Sequence, residues 1–417
     1  MLQVLIVKSL ITLVLTGAIG LSLVYKLKIQ TLTATHPQAG FLVFWLLLRL
    51  IPFVLIYILG GQAARSDVGM FYDSAREAKA LGVVYRDFDS AYQPLFAYLT
   101  ALPLLFWDSA EAILLEMILV EGIILWFTYR YYRIERPDAL FVTLLYLQLP
   151  APFVLVVLSG QEDIWMWGFG IWALWQMRRK PDGLRLGLII GLSLVVTKVV
   201  VVLLLPALFI FVRDRWRFVL GLGLIGVPAL VLLYASGEMA FLSIIHQADA
   251  PRTPNLWSIA NPFFDVYRGV GVPLLNALGL LSMVLISVGI AVFSKRKGHS
   301  FGQFFPLLWC VTFAWFMCIQ QSSLANYAFI FLMPLLFGLF SIQNRPALVL
   351  LILFNAAVVI QPVLWWGMGM PVFTASDFVR ATPLAEYALE LLIVALLLYF
   401  IWKALRVRLF GVSQQHG

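Results

Sequence analysis

Runs of about 20 mainly apolar residues recur along this 417-residue chain, and each is long enough to cross a hydrocarbon core of roughly 30 Å as a helix. With 62% hydrophobic and 12% charged residues, the chain stands well outside the range of soluble domains, which are about 45 to 50% apolar and about 25% charged. Lipid is therefore its expected solvent. The runs contain Gly and Pro, lack the alternating period of outer-membrane strands and are too long for them, so helices must satisfy the backbone hydrogen bonds. The expected fold class is all-α, a polytopic transmembrane bundle of about 12 to 13 spans. No internal repeat, low-complexity tract or soluble domain is visible, so residues 1–417 are read as a single domain.

The spans are expected at 2–25, 41–59, 110–128, 139–158, 164–177, 185–197, 199–212, 218–235, 269–293, 302–319, 324–342, 346–362 and 385–402. The first has no charged n-region and no small-residue cleavage site, which makes it a retained span. Basic clusters at Arg178, Arg179, Lys180 and Arg185 and again at Arg213, Arg215 and Arg217 flank the stretch 184–212. One long helix would put one cluster on the wrong side, so a tight hairpin with Thr197 and Lys198 at its tip is expected. The net charge of +8 is then a topology signal, scattered between apolar runs, and nucleic acid is not an expected partner. Every basic loop falls on one face, and the long connections 60–109, 236–268 and 363–384 fall on the other, the extracytoplasmic side where function is sought. Compact loops and the absence of targeting motifs favour a prokaryotic plasma membrane.

In the first long loop, Ser66 or Asp67 can cap a helix carrying Val68, Phe71, Ala75 and Ala78 on one face and Asp73, Arg76, Glu77 and Lys79 on the other, with Gly82 closing it. That pattern predicts an amphipathic helix at the membrane surface. The segment Pro94 to Trp107 begins with Pro in a first turn and contains Pro103, so it is too short and broken to span and is also placed in the interface. Cys310 and Cys318 lie about 12 Å apart along one helix axis and cannot form a disulfide with each other. No Cys or His cluster has metal-ligand spacing.

Several segments carry chemistry. Asp67 to Phe96 reads DVGMFYDSAREAKALGVVYRDFDSAYQPLF; Ser159 to Trp165 reads SGQEDIW; Thr197-Lys198 is followed by Leu205-Pro206; His246 to Asn255 reads HQADAPRTPN; Asn326-Tyr327 precedes Pro334. In order and on one expected side, these resemble the motifs of the GT-C superfamily of glycosyltransferases. The pattern is closest to the GPI mannosyltransferase I catalytic subunits and the bacterial polyprenyl-phosphate-mannose-dependent mannosyltransferases. The resemblance implies an inverting transfer of a hexose, mannose in those families, from a polyprenyl-phosphate donor to a glycolipid, lipid-linked glycan or protein. It also implies a catalytic acid at Asp67, and substrate-binding positions at Asp73, Gln161, Glu162, Asp163, His246, Asn255, Asn326 and Tyr327. The GPI family shows an Asp-x-Asp pair, but here Arg65 stands where the first acid would be. The acid pair is broken, which counts against metal dependence; no cofactor is expected, with a divalent metal as the alternative.

The chemistry needs those residue types. Displacing a phosphate from an anomeric carbon requires a base for the incoming hydroxyl, a role open to Asp67. It also requires cations at the leaving phosphate, for which Lys198, Arg252, Arg65 and Arg268 are candidates. Tyr92, Trp257 and Tyr267 can stack on a sugar or line an isoprenoid groove. Simpler roles exist for several of these groups: Asp67, Glu162 or Asp163 as helix caps, Asp73 as a solvated charge, Lys198 as a snorkelling lysine and His246 as an exposed loop residue. Arg49, Glu116 and Glu121 fall inside spans, where an ion pair of Arg49 with Glu116 or Glu121 is expected. Two other classes compete. A transporter would run a solute path along Arg49, Glu116, Glu121 and Glu390 but lacks an inverted repeat, and a non-catalytic assembly subunit would not depend on Asp67.

Overall fold

The computed structural model describes residues 1–90, 92–237, 239, 241 and 250–409, the last three by their backbone. It is 79% helical, and its β pairing among the described residues is a single bridge between Val84 and Phe88. The all-α class holds, and the chain is a multi-pass membrane protein. Among the described residues seven helices are long and apolar enough to cross a membrane: Leu2–Val24, Pro37–Leu59, Arg215–Gly237, Val272–Arg296, Phe301–Ile319, Arg345–Gly367 and Ala381–Arg406.

The apolar runs outnumber these spans because hydrophobicity alone does not distinguish a lipid-facing helix from one packed inside protein. Gly183–Val196, Val199–Phe211 and Ala325–Leu339 are apolar but too short to cross. The run 139–158 is bent by 64° between Ala139–Gln148 and Pro150–Leu158. Pro150 lacks the N–H that would continue the helix, and it holds Leu149 in an extended conformation (φ −61°, ψ 132°).

Two compact units emerge. The first comprises Met1–Gly17, Leu203–Phe211 and Gln247–Gly417; the second comprises Ala18–Val202 and Val212–His246. In the first, Phe301–Ile319 forms the core, 83% buried over its central window, packed by Ala381–Leu409 and Val272–Arg296. The Leu205–Phe211 helix also packs on Val272–Arg296, with Phe211 stacked on Phe304 at 3.8 Å between ring centroids.

In the second unit, Ala110–Tyr132 packs against Ile164–Arg179 and the loop helix Val68–Lys79. Gly183–Val196 lies along Arg215–Gly237. There a Cβ on Gly187 would meet Phe218 O at 2.2 Å and one on Gly221 would meet Leu184 O at 2.2 Å, so only hydrogen fits at either position. Within the expected hairpin over 184–212 the break at Thr197–Lys198 is present; Gly183–Val196 packs on Arg215–Gly237 in this unit, and Leu205–Phe211 packs on Val272–Arg296 in the other.

The first-loop helix forms where its pattern placed it. Val68–Lys79 buries Val68, Phe71, Ala75 and Ala78, the apolar face read from the sequence. It ends with Leu81 in the left-handed region (φ 65°) and the Gly82 N–H donating to Glu77 O at 3.0 Å. Pro94–Thr100 and the short 3-10 turn Pro103–Leu105 follow, each begun by its proline.

Candidate functional site

The second unit gathers residues from three distant stretches of chain. Span Pro37–Leu59 ends in a π-helical segment, Val54–Leu59, and the chain reaches Asp67 immediately before Val68, which is fully buried and fixes the start of the loop helix. Asp67 was a candidate cap, but its carboxylate makes no capping hydrogen bond. Its Oδ2 instead accepts from Gln161 Nε2 at 2.7 Å across 94 residues of sequence.

Gln161 is placed by local backbone chemistry. The Val154–Leu158 segment is also a π-helix, a widened turn that recurs at functional positions, and the Gln161 N–H donates to Leu155 O at 2.8 Å. Gly160 then adopts φ +58°, and a Cβ there would lie 2.4 Å from Val68 Cγ2. Only glycine satisfies both conditions, and that close approach brings Gln161 to Asp67.

Glu162 and Asp163 follow, both buried. Either was expected to cap the helix Ile164–Arg179, yet Asp163 at the N-cap position makes no side-chain cap bond. Both carboxylates face Lys198, whose Nζ lies 2.9 Å from Glu162 Oε1 and 2.5 Å from Asp163 Oδ1. Lys198 sits in the break between Gly183–Val196 and the 3-10 turn Val199–Leu204. Its side chain is 19% exposed, with the ammonium turned to these two carboxylates. The ammonium also stands 5.6 Å from the centroid of the Tyr92 ring. Tyr92 packs edge-on to Phe71 at 5.0 Å and beside Phe96 at 4.8 Å, and Phe96 reaches Trp165 at 5.5 Å, an aromatic wall behind the charges.

The electrostatics are unbalanced. With Asp67, Glu162 and Asp163 ionised and Lys198 protonated, the formal charge is −2. Glu162 Oε2 and Asp163 Oδ2 are buried without a hydrogen-bond partner among the described residues, an expensive arrangement for full charges. Burial accordingly pushes Glu162 up to about 7; Lys198 pulls it back and Asp163 adds to the rise. Burial also raises Asp163 against the pull of Lys198, and it raises the Tyr92 phenol well above its ordinary range, with Glu162 adding.

Two other expected site residues of the second unit stand apart from this cluster. Asp73 is exposed on the far face of the loop helix, and Arg65 is exposed. Arg252, Asn255, Trp257, Arg268, Asn326 and Tyr327 belong to the first unit, and His246 lies outside the described residues. Asn255 is the N-cap of Leu256–Phe264 in a reciprocal capping box with Ser258. The Trp257 indole donates to Ile319 O at 2.7 Å. Arg268 has an 89% exposed side chain 3.9 Å from Asp265, and the Tyr327 ring lies 5.5 Å from that of Phe316. Arg49 pairs with Glu121 and not with Glu116: its Nε is 2.9 Å from Glu121 Oε2. Among the described residues no group of three or more His, Cys, Asp or Glu has the arrangement of a metal site.

The first unit also holds a polar cluster that the sequence reading did not assemble: Thr253, Ser258, Gln361, Glu386 and Glu390, all buried. Only Glu390 was singled out, and then as part of a solute path. The available signal was Glu386 and Glu390 four residues apart, one turn on the same helix face. No protein-family model matches the sequence, and no characterised protein matches it significantly.

Proposed function

We propose that this membrane protein is an inverting glycosyltransferase. It moves a hexose, mannose by resemblance, from a polyprenyl-phosphate carrier to a glycolipid, lipid-linked glycan or protein, at the extracytoplasmic face of a prokaryotic plasma membrane. The observation that carries this reading is the 2.7 Å hydrogen bond from Gln161 to Asp67. It joins the first-loop acid to the Gln-Glu-Asp segment that engages Lys198, three of the segments on which the resemblance rests.

The arrangement suits the chemistry. A general base must be both oriented and reachable. Asp67 is half-buried, its Oδ2 is held by the amide, and among the described residues its Oδ1 accepts no hydrogen bond. The acceptor oxygen attacks the anomeric carbon, its proton passes to Asp67, and the bond to the phosphate oxygen breaks with its electron pair leaving on the phosphate. Lys198 is the cation of the cluster. Glu162 in its un-ionised form lowers the negative charge that a phosphate has to approach, and the Tyr92 ring supplies an apolar face for sugar or isoprenoid.

The test is transfer from labelled polyprenyl-phosphate sugar by purified Asp67→Asn and Asp67→Ala protein. A loss of about 10² to 10⁴-fold is expected, with an unchanged Tm. Full activity in either variant removes Asp67 from the role, and a product of retained anomeric configuration removes the single displacement.

A further inference from the structure

The polar cluster of the first unit buries two carboxyl groups, Glu386 and Glu390, among Thr253, Ser258 and Gln361. Glu386 Oε1 accepts from Gln361 Nε2 at 2.6 Å and from Thr253 Oγ1 at 3.3 Å. Glu390 Oε2 accepts from Ser258 Oγ at 2.6 Å. The other oxygen of each acid, Glu386 Oε2 and Glu390 Oε1, is buried without a partner among the described residues, and the two acids stand one turn apart on the same face of Ala381–Leu409. Two ionised carboxylates cannot hydrogen-bond, since each only accepts. A single proton between them satisfies both orphan oxygens at once and removes one of two buried like charges.

The surroundings offer no other compensation. Among the described residues neither glutamate has an ion-pair partner. The groups facing the pair from packed elements are Thr253, Ser258 and Gln361, the Tyr267 phenol, and Tyr387, whose hydroxyl donates to Ile259 O at 2.9 Å. Arg252 lines a small cavity of about 10 Å³ together with Glu390, Ser258, Asn261 and Tyr267, and among the described residues its guanidinium has no ion-pair partner.

We infer that Glu386 and Glu390 share one proton and, through it, act as positioning residues for the Arg252–Ser258 segment. Each acid grips one end of that segment, Glu386 at Thr253 and Glu390 at Ser258. Between them Asn255 Nδ2 donates to Arg252 O at 2.7 Å, and the Arg252 N–H donates to Gln321 O at 2.9 Å. The segment therefore presents Arg252 to the cavity in one conformation.

Infrared spectra of the full-length protein at neutral pH test the proton directly. The carbonyl stretch of an un-ionised carboxylic acid is expected, and it should diminish equally in Glu386→Gln and in Glu390→Gln, because either amide supplies the missing N–H and leaves the remaining acid ionised. A spectrum unchanged by both replacements overturns the shared proton. Backbone hydrogen exchange over residues 252–258 tests the positioning. The Gln variants should exchange like the parent, whereas the Glu386→Ala/Glu390→Ala protein should exchange at least about tenfold faster there, with Tm recorded to confirm folding. Unchanged exchange in the double variant overturns the positioning role.

Discussion

Two buried charge clusters in one unit of this protein are built to opposite specifications. Arg49 and Glu121 are both fully buried and saturated: Nε and Nη2 of the arginine reach both carboxylate oxygens at 2.9 to 3.2 Å, and Nη1 donates to Leu48 O and Leu147 O at 2.9 Å each. One positive and one negative charge cancel, and each nitrogen of the guanidinium fork donates to at least one oxygen. Around Lys198 the ledger is open, with three carboxylates to one ammonium, orphan oxygens on Glu162 and Asp163, and a lysine with part of its surface exposed. A closed cluster serves to hold helices together, whereas the open one is the cluster on which the proposed function rests.

Removing a charge from each cluster should separate these roles. Arg49→Ala strands Glu121 in a dry interior and should cost about 3 to 5 kcal/mol, read as a fall in the denaturant midpoint in detergent; Arg49→Met with Glu121→Leu should restore most of it. Recovery that fails in the double variant would mean the pair does more than fasten helices. Next in size, Gly160→Ala puts a methyl into Val68 at a left-handed backbone position and should cost about 1 to 3 kcal/mol, with a larger loss of transfer because Gln161 is displaced from Asp67.

Lys198→Met should be milder for stability, about 1 to 2 kcal/mol, because burial already raises Glu162 and Asp163 towards their un-ionised forms. Transfer should nevertheless fall at least about 10²-fold. Smaller still is a pH effect. Glu162, raised to about 7 by burial, binds more protons folded than unfolded. Its contribution is fully present below the unfolded carboxyl range and is lost as pH rises towards about 7. Glu162→Gln should flatten that fall in Tm; a slope unchanged in the variant would assign it to other groups. Asp73→Ala, on the solvated face of the loop helix, should stay within about 0.5 kcal/mol.

What could be read in advance followed periodicity and punctuation. The spacing of Val68, Phe71, Ala75 and Ala78 declared a helix face, Pro94 and Pro103 marked starts, and basic clusters drew attention to the break at Thr197–Lys198. Those signals are local. The contact of Asp67 with Gln161 is not, and neither is the convergence of Lys198 on Glu162 and Asp163, since the order of motifs says nothing of which side chains touch. The cap roles offered to Asp67 and Asp163 are the ordinary ones for acids at helix starts, and they fail where a stronger partner outbids the backbone N–H. Glu386 escaped notice because Gln361 and Thr253, the groups that make it comprehensible, come from a different helix and loop.

The meeting of Gly187 with Gly221 has a consequence for how the chain can vary. The Arg215–Gly237 helix is only 11% buried over its central window, so lipid tails, which accept any apolar shape, surround most of its circumference. A saturation scan should therefore trace one narrow seam of intolerance down an otherwise permissive cylinder. A bulky change on that seam could be compensated only from the opposing strip of Gly183–Val196, which would tie the histories of the two helices together.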